Sequence, residues 1–239
     1  MNTRLLASTA LALGLATTGA QAAFHFMQIE QIIGGIGGNT SAQAIQLRLR
    51  GGGQTVVSAA RVRAWDATGA NPVLLIDLTT NVANGLTGDN ILLASPSFNT
   101  IMASVGGYSA DFTLTSVIPS SYLSGGKVTY EDDGGTIYWS TAFGAYTGPN
   151  LGTTTNDADG NFGAPTSALP TGARQGVIFP GAASAFSTTN FSDYVLSANP
   201  AAVRNNGRNS FTVAPEPGSA ALLAALALGG VTILRRRRR

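Results

Sequence analysis

The apolar residues of the chain fall in short bursts separated by Gly, Asn, Asp, Pro and Ser, and within several bursts they alternate with polar ones. Ile45, Leu47 and Leu49 alternate with Gln46, Arg48 and Arg50, and Val62 and Ala64 alternate with Arg61 and Arg63. A period of two sends successive side chains to opposite faces of a strand, so these segments predict half-buried antiparallel strands with one wet face. The same pattern, bounded by turn residues, predicts strands over Phe24–Ile33, Ala44–Arg50, Arg61–Asp66, Val73–Leu78, Asn90–Ala94, Asp111–Thr115, Lys127–Glu131, Thr136–Ser140, Gly176–Phe179, Tyr194–Ser197 and Ser210–Val213. Between them lie breakers such as Gly34-Gly35, Gly51-Gly52-Gly53, Gly106-Gly107 and Gly134-Gly135. No segment from Phe24 to Ala214 keeps a helical period beyond two turns. The expected fold is all-β, an antiparallel β-sandwich.

The two ends depart from this pattern. Met1–Arg4 carries one positive charge, Leu5–Ala16 is apolar, and Ala20-Gln21-Ala22 fits the small-x-small rule for signal peptidase. That layout predicts a cleaved secretory signal peptide over residues 1–22, since the apolar run is too short to span a bilayer. At the other end, Gly218–Leu234 is seventeen residues without a charge and is followed by Arg235, Arg236, Arg237, Arg238 and Arg239. As a helix it would be about 26 Å long, enough to cross a membrane if the flanking arginines snorkel. The arginine block fixes its orientation, with the C-terminus in the cytoplasm and the body outside. The N-terminal signal demands the same topology.

Composition changes the reading of charge. The whole chain of 239 residues has a formal net charge of +2. Residues 24–214 hold eight basic and eleven acidic side chains, a balance of −3, so the positive charge belongs to the ends and argues against nucleic acid as a partner. Cysteine is absent, which excludes disulfides and thiol nucleophiles and leaves an ordinary hydrophobic core to hold the body.

Pro215-Glu216-Pro217, the hydrophobic segment 218–234 and the terminal arginines together resemble the PEP-CTERM sorting signal of exported proteins in Gram-negative bacteria. The resemblance implies recognition by exosortase, a membrane-embedded processing enzyme, and cleavage near the Pro-Glu-Pro element. It further implies a membrane-held intermediate, followed by delivery to the cell surface or the extracellular space, often where exopolysaccharide is made. Over Phe24–Asn99, the segments "FMQIEQIIGG", "AQAIQLRLR", "LLIDL" and "GDNILLAS" resemble lamin-tail-like domains, which are immunoglobulin-like sandwiches. The glutamate pair expected in their second strand is absent, Ala44-Ile45-Gln46-Leu47 standing in its place.

Candidate chemistry within residues 23–214 is sparse. A Gly/Thr/Asn-rich insertion at 144–170 contains Asp157, Asp159 and Asn161 at alternate positions around Gly160, an oxygen-donor pattern compatible with Ca2+ or with a plain polar turn. Glu131-Asp132-Asp133 precedes Gly134-Gly135. It reads as a hairpin turn with Asp133-Gly134 at positive φ, while glycoside hydrolysis would need a second carboxylate opposite Glu131. His25, the single histidine, lacks a nucleophile elbow and reads as a strand residue. "GGIGGNT" misses the third glycine of a dinucleotide loop and reads as a turn. Asn39-Thr40-Ser41 and Asn190-Phe191-Ser192 match the N-glycosylation pattern. If the second and third predicted strands pair, Arg48, Arg50, Arg61 and Arg63 share one face and form a basic stripe suited to acidic exopolysaccharide; otherwise they are a solvated sheet face. The expected function is that of an exported, non-catalytic structural or adhesive protein needing no cofactor. A polysaccharide-active hydrolase and a calcium- or carbohydrate-binding module stand as alternatives.

Overall fold

A computed structural model describes residues 23–149, 156, 160, 162–185 and 187–215. The signal-peptide segment, Glu216–Arg239 and the residues Asp157, Asp159 and Asn161 lie outside the described residues. In chain order the elements are β1 (Met27–Ile33), β2 (Ala44–Leu49), β3 (Ala60–Trp65), β4 (Val73–Asp77), β5 (Asn90–Ala94), α1 (Pro96–Met102), β6 (Phe112–Thr113), β7 (Gly125–Asp132), β8 (Ile137–Gly144), β9 (Val177–Ile178), α2 (Asn190–Asp193), β10 (Val195–Leu196), β11 (Ala202–Arg204) and β12 (Ser210–Thr212). The fold is all-β. One sheet runs β10-β9-β1-β2-β5-β6, a second runs β4-β3-β7-β8, and β11–β12 form a separate hairpin. All strand pairs are antiparallel except β5–β6.

The two sheets enclose one core. Ile29, Ile32, Ile45, Leu47, Leu49, Ile91 and Leu93 of the first sheet belong to the same buried cluster as Ala60, Val62, Ala64, Val128, Tyr130, Trp139 and Phe143 of the second. These are the apolar phases of the alternating strands. Each fully buried aliphatic side chain contributes roughly 1.5–3 kcal/mol, against at most about 1 kcal/mol for an exposed ion pair, so this layer dominates the stability. Tyr194 joins the sheets with its hydroxyl, which accepts from Trp139 Nε1 at 2.8 Å and Thr141 Oγ1 at 2.8 Å in β8 and donates to Ile29 O at 2.7 Å in β1.

The expected wet face is found on only one sheet. In β3 the alternation is as read, with Ala60, Val62 and Ala64 buried and Arg61, Arg63 and Trp65 half-buried. The back of the β1–β2–β5 sheet is instead covered by a third layer. Ala44, Leu92 and Ala94 pack there against Phe98, Ile101 and Met102 of α1 and Val203 and Phe211 of the β11–β12 hairpin. The polar phase of β2 is buried as well. Gln46 Oε1 accepts the backbone N–H of Arg204, and a bulge in β1 at Glu30 aims its carboxylate at Gln46 Nε2 (2.6 Å) and Asn90 Nδ2 (2.5 Å). Alternation predicts two environments for a strand, not that one of them is water. Here the second environment is polar and enclosed.

The segment Gly176–Val213 enters both layers, β9 and β10 extending the first sheet and β11–β12 completing the third layer. Part of the expected insertion is ordered against β8. Phe162 packs with Ala142 and Tyr146, and Thr166 bridges Phe143. The β7–β8 turn places Gly135, not Asp133 or Gly134, at positive φ (92°), with Gly135 N donating to Asp132 O at 3.0 Å. This is a three-residue turn with a left-handed glycine before the bulge, rather than a two-residue one.

Candidate functional site

β2 and β3 do not pair. β2 lies between β1 and β5, and β3 lies between β4 and β7 in the opposite sheet, so the expected stripe of four arginines on one face is not formed. Arg48 turns to the covered back of its sheet, where it pairs with Glu30 at 2.9 Å and donates to Gln28 Oε1 at 2.7 Å and Gly181 O at 2.9 Å. Arg61 and Arg63 both reach Glu131, at 3.2 and 3.5 Å. The Glu131 side chain is 1% exposed and also accepts from Thr129 Oγ1 at 3.1 Å. The carboxylate weighed as a hydrolytic group is therefore bound up with two guanidinium groups on its own sheet.

Arg50 stands apart from the other three. It follows β2 at the end of the sandwich where β1 and β8 begin and β7 ends. Its guanidinium carbon lies 5.4 Å from the ring centroid of Phe26 and 5.3 Å from that of Trp139. Its backbone N–H donates to Phe26 O at 2.8 Å, which holds the two residues side by side. No ion pair or side-chain hydrogen bond engages the guanidinium among the described residues, and Nε is buried without a partner. Burial lowers its pKa to about 10, so the group remains a cation at neutral pH. Aromatic faces supply part of the lost solvation, yet leave the buried Nε–H without an acceptor, and no protein group among the described residues accepts from the two terminal nitrogens.

The surroundings of Arg50 are aromatic. The strand expected from Phe24 begins only at Met27, and residues 24–26 form a lip before it. Phe26 is 55% exposed. Exposed His25 stacks on Tyr138 at 4.5 Å between centroids and 22° between planes, and Phe24 meets both rings edge-on at 4.5 and 5.8 Å. Tyr130 Oη donates to Phe24 O at 3.0 Å and Phe26 N donates to Gln54 Oε1 at 3.0 Å, which pins the lip to β7 and to the loop that follows β2. The Tyr138 phenol donates to Asp132 Oδ2 at 2.9 Å, and its pKa is pushed up to about 12, first by burial and then by that carboxylate. The lip thus carries two ring groups, Phe24, His25 and Tyr138 in mutual contact, and Phe26 with Trp139 around the Arg50 guanidinium.

No family model, curated protein or solved structure matches this chain. The site therefore rests on its geometry. Of the residues singled out in the sequence, the structure brings Arg50 and His25 to this lip and takes Arg48, Arg61 and Arg63 elsewhere. Sequence reasoning did not pick out Phe26, Tyr138 or Trp139. The available signal was aromatic density in "FHF" (Phe24–Phe26) and in Tyr138-Trp139, two stretches that ring contacts across the closed sandwich bring together. Of the two glycosylation matches, Asn190 is fully buried, with its amide donating to Phe162 O at 3.0 Å and accepting from Ala142 N at 3.1 Å, so it is unavailable to a transferase in the folded protein. Gly160 has φ +76°, as a tight turn requires, while the neighbouring calcium candidates fall outside the described residues. An open groove of about 820 Å3 lies beside β12, walled by Gly107, Arg174, Phe211, Val213 and Pro215.

Proposed function

We propose that the protein is exported, sorted by exosortase through Pro215-Glu216-Pro217, the apolar segment and the terminal arginines, and acts at the cell surface or in the extracellular matrix as a non-catalytic adhesive body that associates with exopolysaccharide. Signal peptidase removes residues 1–22, and the apolar segment 218–234 holds the precursor in the membrane until the second cut. The observation that carries this reading is the position of the sorting element relative to the body. β12 ends at Thr212, Val213 N donates to Ala201 O at 2.9 Å, and Pro215 is exposed. The Pro-Glu-Pro element thus starts, at exposed Pro215, just past the last backbone–backbone hydrogen bond of the described body. The adhesive part is supported by the lip, where exposed His25 and Phe26 lie close to a cation without a counter-ion, a feature that an inert spacer does not need.

The sandwich is proposed to be of the immunoglobulin-like, lamin-tail-like kind. What supports this is that the four segments carrying that resemblance form β1, β2, β4 and β5. The topology of the precursor is tested with alkaline phosphatase, which becomes active only outside the cytosol. Fused after Val213 the reporter is expected to be active, and fused after Arg239 in a strain lacking the sorting enzyme it is expected to be silent. Equal activity in both fusions would end the proposal.

A further inference from the structure

We infer that the lip around Arg50 binds the carboxylate of a uronate residue in an acidic polysaccharide, the guanidinium taking the carboxylate and Phe26 the apolar C–H side of the sugar. This rests on the adhesive reading above and gives that reading a site and a ligand class. Three observations point to it. First, Arg50 is a half-buried cation without a counter-ion, whereas Arg48, Arg61, Arg63 and Arg208 each hold a carboxylate. A planar fork with free N–H groups is matched by a carboxylate, which can accept two of them in parallel. Second, the charge lies against Phe26, which spends 55% of its surface on water, and the stacked His25–Tyr138 pair extends the same end of the sandwich. An anion with a flat apolar body uses both features, whereas a small inorganic anion uses only the first.

Third, most of the neighbouring strand edge is already taken. In β8, Ser140 N is bonded to Asn156 Oδ1 at 2.9 Å, Ala142 N to Asn190 Oδ1 and Gly144 N to Thr166 O at 2.8 Å. An acidic peptide finds these three N–H groups occupied, which disfavours strand addition. A saccharide needs no strand edge, since its contacts are ring faces and a charge.

The experiment uses the full chain in a neutral detergent, titrated with polygalacturonate and followed by tryptophan emission. Arg50 lies over Trp139, so occupancy of the site alters the emission of that indole, and a Trp65→Phe background isolates its signal. The expected result is a saturable change with polygalacturonate and none with the fully methyl-esterified polymer, which keeps the sugar and loses the charge. Arg50→Gln is expected to weaken binding roughly tenfold or more, as for loss of hydrogen bonds to a charged group. Phe26→Ala, at an exposed position that leaves the core intact, is expected to weaken it several-fold, and Arg204→Gln, at an exposed strand position elsewhere, not at all. Binding that survives both Arg50→Gln and Phe26→Ala, that ignores esterification, or that is matched by polyglutamate would overturn the site. Should the phosphatase fusions behave as expected while polygalacturonate gives no signal, this inference falls and the export reading stands.

Discussion

The ammonium of Lys127 is enclosed on the outer face of β7. It lies 5.5 Å from the ring centroid of Trp65 and 5.3 Å from that of Tyr146, donates to Pro149 O at 3.2 Å, and has no exposed surface. Two desolvated cation–π contacts return about 2 kcal/mol each, while taking an ammonium out of water costs several kcal/mol. Burial wins and lowers the pKa to about 8, against the opposing pull of the Glu131 carboxylate. The sign of the pH effect follows. Between about pH 8 and the ordinary lysine value of 10.5 the unfolded chain binds the proton that the folded chain has released, so stability rises with pH across that window. Above pH 10 the trend is opposed by Tyr138 and Tyr146, whose phenols are raised to about 12, in each case first by burial. The urea midpoint is expected to climb between pH 8 and 10 in the parent and to stay flat in Lys127→Met. A parallel climb in both would show that Lys127 is not the group responsible. Nothing in the sequence marked this lysine. Its cage needs the Trp65–Lys127 register of β3 and β7 and a loop that returns through Tyr146, contacts between positions far apart in the chain.

At the scale of elements, the question is how the sandwich avoids pairing with its neighbours. β8 is an edge strand, and three of its outward N–H groups, on Ser140, Ala142 and Gly144, are met by the side chains of Asn156 and Asn190 and the backbone of Thr166. An amide side chain imitates a strand partner without offering a strand to extend. Asn190→Ala removes the acceptor for Ala142 N, while Phe162 O keeps the backbone N–H of residue 190 as donor at 2.9 Å. Leaving that buried N–H unpaired costs roughly 1–3 kcal/mol. The variant is expected to unfold at lower urea and to scatter more light at high concentration than the parent. An unchanged midpoint and unchanged mass would refute the role of the cap. Strand existence was legible because alternation and glycine punctuation are local, and each of the eleven expected segments overlaps an observed strand, although β3, β7 and β8 run past the expected bounds. β11 was not foreseen, since three residues amid Asn and Pro carry no period. α1 was not foreseen either, although Ser95 caps it by accepting from Phe98 N at 3.1 Å and Pro96 opens its first turn. Sheet membership was the larger gap. Nothing local says that β2 and β3, adjacent in sequence, face each other across the core instead of pairing, and the arginine stripe failed on that point.

For the whole molecule, the account joins a proposed address carried by the ends to a body with a half-buried cation at its rim, Arg50, that has no counter-ion among the described residues. The proposed address rests on apolar length, terminal charge and a short motif, all of which are local features of the sequence. The lip is assembled from three stretches that only the closed sandwich brings together, so no local pattern announces it. The central claim is that Met1–Ala22 and the segment beyond the Pro-Glu-Pro element are removed as the body leaves the cytosol. The direct measurement is mass spectrometry of the two termini of the protein recovered from cytosolic, membrane and extracellular fractions of its native cells, with and without the sorting enzyme. The account predicts a mature chain beginning at Ala23 and ending near Pro215–Pro217 outside the cytosol, and a membrane-bound form retaining Arg239 when the sorting enzyme is missing. A soluble cytosolic chain running uncut from Met1 to Arg239 would contradict it.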